Sequence, residues 1–67
     1  MTRAEVIKAM REGKKVTHEY FTADEWATQE HGLIVLEDGD KCAPSAFWKD
    51  RQSKMFDNGW SLFVDHE

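Results

Sequence analysis

Sixty-seven residues with nine basic and thirteen acidic side chains carry a net charge of −4. That balance argues against a duplex DNA or RNA ligand, because cationic contacts to phosphate supply most of such affinity. A lone cysteine, Cys42, excludes an intramolecular disulfide, and no run approaches the ~20 apolar residues of a membrane span.

A chain this short buries only ~60% of the surface its unfolded form exposes. One domain spanning 1–67 therefore needs a metal, a second copy of itself or an unusually rich core. Aromatics at 12% of the residues offer the last of these, and a homo-oligomer is the simplest form of the second. Residues 1–12 lack the apolar segment of a signal peptide, so with one cysteine the reducing cytoplasm is the expected compartment.

Thr2-x-x-Glu5 is a capping box, and Val6, Ile7 and Met10 follow on one helical face. Gly13 stands where a helix terminates, with Lys14 and Lys15 at the negative end of the dipole. The pattern predicts a helix over 3–12. Val16 to Phe21 alternates as a strand, with Val16, His18 and Tyr20 sharing one face.

Thr22-x-x-Glu25 is a second capping box. It can open a helix running to Gly32, or make one turn before a strand at Trp26–Gln29. The strand is preferred, because Glu30-His31-Gly32 reads as a loop into the strongest strand of the chain, 33–37. Asp38-Gly39 is then the hairpin signal, a type I′ turn with positive φ at Gly39. A short strand follows at 40–42. Pro44 suits the first turn of a short helix ending near Arg51, Asp57-Asn58-Gly59 is a turn, and Trp60–Val64 is the closing strand before a frayed end at 65–67. The fold class is α+β: an N-terminal helix packed on a small antiparallel sheet, a meander with a short inserted helix.

Gly13-Lys14-Lys15-Val16, then His18, Phe21 and a closing strand opened by Trp60, resemble small tailed-phage accessory proteins. The pattern looks like a short relative of the phage domain that includes the second Thoeris anti-defence family. The likeness lies at the two ends of the chain, with His18 where Arg is common and Phe21 where Trp is common. It implies an oligomeric protein in the bacterial host cell that sequesters a cyclic nucleotide immune signal without cleaving it.

His18, His31, Cys42 and His66 are zinc-ligand types, but their spacing matches no metal pattern, and no metal or other cofactor is expected. Cys42 reads as the inward residue of a hairpin strand, and no catalytic constellation stands out. Phe47 and Trp48 are adjacent and point apart on a helix, so one of them faces solvent, a partner or a ligand. Trp48 as a stacking platform, Lys49 and Arg51 for phosphate, with His18 and Tyr20, make the candidate ligand site. The alternative is an acidic protein–protein inhibitor of a host enzyme, including mimicry of nucleic acid, presented by Asp24, Glu25, Glu37, Asp38, Asp40 and Asp50.

Overall fold

The capping box forms as its residues require. In a computed structural model that describes residues 1–64, helix α1 runs Arg3–Arg11. Thr2 Oγ1 accepts from the Glu5 N–H (3.3 Å) and Glu5 Oε1 accepts from the Thr2 N–H (2.9 Å). The expected frayed end at 65–67 lies outside the described residues.

Strands β1 (Val16–His18), β2 (Ala27–Glu30), β3 (Leu33–Leu36) and β4 (Lys41–Cys42) form an antiparallel meander. Helix α2 (Pro44–Lys49) and a 3₁₀ turn (Lys54–Phe56) follow. Strand β5 (Trp60–Leu62) then pairs with the free side of β1, giving the order β4-β3-β2-β1-β5. This is an α+β fold, helix on antiparallel sheet.

Directly opposed residues in an antiparallel sheet share a face. The pairs Val16↔Ala27, Ala27↔Leu36, Gln29↔Ile34, Ile34↔Cys42 and His18↔Trp60 define one face. Both helices pack on it: Val6, Ala9 and Met10 from α1 and Phe47 from α2 join Val16, Ala27, Ile34 and Trp60 in the core. Burying Val6, Met10, Val16 and Ile34 completely stabilises the fold by roughly 1.5–3 kcal/mol for each side chain. The opposite face carries Thr17, Thr28, Val35, Lys41 and Ser61.

Several boundaries differ from the sequence expectation. The first strand stops at His18 rather than Phe21, because the Phe21 N–H turns back to His18 O (2.9 Å) and the Tyr20 N–H to His18 Nδ1 (3.1 Å). Tyr20 therefore leaves the buried face and is 62% exposed. The stretch 22–31 takes the strand form, after a turn closed by Glu25 N–H to Thr22 O (3.1 Å). Helix α2 ends at Lys49, and β5 ends at Leu62.

The type I′ turn sits elsewhere than expected. His31 (φ 50°) and Gly32 (φ 78°) are both left-handed and join Glu30 to its cross-strand partner Leu33, which is the two-residue I′ arrangement. Asp38-Gly39 closes a longer loop. The Gly39 N–H donates to Leu36 O (2.9 Å), the Leu36 N–H donates to Asp40 O (2.9 Å), and only Gly39 (φ 88°) is left-handed. That is a type I turn followed by a glycine bulge, a three-residue loop.

Candidate functional site

Residues 50–59 have almost no regular structure, so their carbonyls need partners from elsewhere. Three side chains supply them. The Arg3 guanidinium donates to Phe56 O (3.2 Å), to Ser53 O (3.0 Å) and to Arg51 O, and pairs with Asp57 Oδ1 (3.1 Å). The Trp60 indole N–H donates to Phe56 O (2.8 Å). His18 Nε2 lies 3.0 Å from Met55 O and 2.7 Å from Asn58 O. The Tyr20 amide can only donate, so Nδ1 is the acceptor and Nε2 carries the proton shared by the two carbonyls.

His18 is thus 3% exposed with both ring nitrogens engaged. Its ring lies among Tyr20, Phe21, Phe56 and Trp60 at centroid separations of 4.7–5.9 Å. Trp48 meets the far side of the same cluster, 5.5 Å from Trp60. Of the proposed ligand residues, His18, Tyr20 and Trp48 thus belong to one aromatic cluster, and Arg51 meets it at the Phe21 ring, 5.7 Å away. Arg51 is held inside the fold: Nη1 donates to Phe47 O (3.1 Å), the guanidinium lies 4.1 Å over the Phe47 ring, and Nε is buried without a partner. Lys49 is exposed.

What Trp48 does line is a groove of about 190 Å³ between the two helices. Ile7, Met10 and Arg11 of α1 form one wall, Pro44, Ser45 and Trp48 of α2 the other, and Gln29 of β2 is part of the lining. Arg3 lies 5.5 Å from the Trp48 ring centroid. The groove thus combines an indole, a guanidinium, an amide and a hydroxyl. Neither Arg11 nor Gln29 was singled out by the sequence pattern. Arg11 carried a usable signal, one helical turn after Ile7 and in the last turn of α1; Gln29 carried none.

The candidate acidic residues gather mostly at one end of the sheet. Ala27 opposes Leu36, so the loop holding Asp24 and Glu25 and the turn holding Glu37, Asp38 and Asp40 emerge side by side. Two of them have structural work: Glu25 Oε1 accepts from the Thr22 N–H (3.3 Å), and Asp38 Oδ1 from the Asp40 N–H (2.9 Å). Asp50 caps α2 on the helical side.

Among the zinc-ligand types, His31 is exposed in its turn, Cys42 faces the core from β4, and His66 lies outside the described residues. Among the described residues no three His, Cys, Asp or Glu side chains are placed to share a metal ion. No helix there is long and apolar enough to cross a membrane. Fold and groove together define a small α+β domain whose helical face holds a mainly apolar cleft walled by Trp48, with Arg11, Gln29 and Ser45 as its polar residues. Comparison with protein-family models, curated proteins and solved structures yields no match.

Proposed function

We propose that this chain is a non-enzymatic, phage-type host-interaction protein that sequesters a cyclic nucleotide immune signal in the bacterial cytoplasm. The observation that carries the reading is the interhelical groove, with Trp48 as a stacking wall and Arg11 beside it. An indole offers a planar surface to a base, worth ~1–3 kcal/mol by truncation, and a guanidinium at the same site suits phosphate. Arg51 is committed to the Phe47 carbonyl, so Arg11, with exposed Lys49 next along α2, takes the phosphate role.

At about 190 Å³ the groove is smaller than the ~300–1,000 Å³ typical of small-molecule sites. It accommodates one ring system. The test is calorimetry against a panel of cyclic nucleotides and cyclic ADP-ribose isomers. Wild type is expected to bind one of them and release it chemically intact. Trp48→Ala is expected to weaken that binding by about one to two orders of magnitude, following the stacking energy. A wild type that binds none at micromolar concentration defeats the proposal.

The clustering of Asp24, Glu25, Glu37, Asp38 and Asp40 at one end of the sheet favours a second reading, an acidic inhibitor of a host enzyme. Salt-sensitive inhibition of a nucleic-acid-binding enzyme, lost in Glu37→Gln/Asp38→Asn, supports it. Inhibition unaffected by that double change rejects it.

A further inference from the structure

Among the described residues no strand pairs with the outer side of β5. The Glu19 N–H donates to Gly59 O (3.0 Å), the Phe63 N–H donates to Lys15 O (2.9 Å), and Ser61 lies opposite Thr17. Residues 59, 61 and 63 therefore spend their backbone groups on β1, and alternation turns those of Trp60, Leu62 and Val64 outward. The Trp60 carbonyl already has a partner there, the Met1 amino group at 3.2 Å. Leu62 and Val64 are 48% and 65% exposed. The strand is protected only by its shortness, three residues, and by the Met1 amino group at its start; it carries neither proline nor a lysine of its own.

Beside this edge lies a groove of about 430 Å³ between α1 and Leu62, whose charged groups are Glu5, Glu12, Lys8, Lys14 and the Met1 amino group. Within one chain Lys14 already meets Glu12 (3.3 Å). Two acids against three cationic groups leave this surface without the acidic excess of a chain of −4. Two identical copies repel through most of an acidic surface, and a strip of mixed charge with no acidic excess is where that cost is least. A two-fold axis also presents the acids and bases of one copy to the same set on the other, since such an interface is self-complementary.

We infer that β5 docks antiparallel on β5 of a second copy, about a two-fold axis near Leu62, joining two five-stranded sheets into one. The added strand satisfies the outward Leu62 N–H and C=O, as in other strand-addition interfaces, and covers Leu62 and Val64. The inference does not rest on the proposed function. The residues of the Trp48 groove belong to α1, α2 and β2, so calorimetry there and assembly here succeed or fail separately.

Sedimentation at micromolar concentration tests it, with circular dichroism alongside. Wild type is expected at twice the 7.8 kDa chain mass. Leu62→Pro removes an N–H that points away from β1, so the β1–β5 ladder survives while the edge loses its donor; the expected result is a folded monomer. Leu62→Lys puts a charge on the same edge and is expected to give a folded monomer too, which decides the matter should the proline variant fail to fold. A dimer that persists in Leu62→Lys with an unchanged mass overturns the inference. So does a wild-type monomer, which leaves the edge to an extended segment of another protein.

Discussion

Replacing His18 with Phe separates a structural histidine from a ligand-binding one. The ring contacts with Phe56 (4.7 Å) and Trp60 (4.8 Å) survive in kind, since a six-membered ring fills nearly the same space. The ring nitrogens do not. The Tyr20 N–H loses its acceptor, and Met55 O and Asn58 O lose their shared donor. Leaving a buried polar group unsatisfied costs ~1–3 kcal/mol. Met55 and Asn58 are themselves exposed residues, so water recovers part of the carbonyl loss, and a total of ~2–4 kcal/mol follows from the same penalty. A domain of this length has only ~3–10 kcal/mol in all. Each kcal/mol moves the melting temperature by roughly 4–8 °C, so His18→Phe should melt at least ~8 °C lower, with the urea midpoint falling alongside. Thermal melting followed by circular dichroism reads this directly. A melting temperature within a degree or two of wild type refutes the pinning argument and returns His18 to the candidate ligand residues.

Gly59 bears on the same junction. Its φ is 90°, and a Cβ there would stand 3.0 Å from both His18 Nε2 and Glu19 Cδ. Gly59→Ala is therefore expected to destabilise by more than the ~1 kcal/mol of a left-handed alanine alone, and an unchanged urea midpoint counts against that close approach. Glu5 gives a pH test. Its carboxyl is held below the ordinary 4.5, first by the Thr2 backbone N–H and then by the Thr2 hydroxyl. Because the folded value is the lower one, its contribution is complete above 4.5 and is lost as pH falls through the depressed folded value. Urea titrations of wild type and Glu5→Gln should differ at neutral pH and converge in acid; a difference that grows on acidification contradicts the capping box.

The parts of the fold that local chemistry decides were legible in the sequence. The capping box, the apolar face of α1 and the run at Leu33–Leu36 each depend on neighbours within one turn or one strand. The strand ending at His18 was not, because its bend answers to carbonyls 37 and 40 residues away. The hairpin turns were exchanged for a related reason. Asp-Gly is the stronger I′ signal in isolation, but the register Glu30↔Leu33 leaves only His31-Gly32 to turn the chain, and His31 accepts the left-handed conformation. At the candidate site Trp48 was legible as the more exposed member of an adjacent aromatic pair. Arg51 stands three residues after Trp48 in sequence, yet its guanidinium lies against the Phe47 ring, a placement that the spacing does not show. Arg3 was missed although it carried a signal: a cation in the first turn of a helix stands at the unfavourable end of the dipole, which asks for a compensating partner elsewhere.

That compensation explains how a chain with one cysteine orders its irregular segment. Arg3, His18 and Trp60 do by hydrogen bonding to carbonyls what a disulfide does by covalent constraint, tying residues 51–58 to the first helix and the central sheet. The arrangement also reaches the groove. Trp48 is packed edge-on against Phe47 (88°) and against Trp60, with the Arg3 guanidinium 5.5 Å from its ring centroid. A ring held on these sides has few rotamers left to lose when a ligand stacks on it, and the ordering cost of ~0.5–1.5 kcal/mol for an immobilised side chain has already been met in folding. Stability and affinity are therefore linked through Arg3. Loosening the carbonyl clamp frees Trp48, so the same substitution that weakens the fold also weakens any ligand that uses the indole.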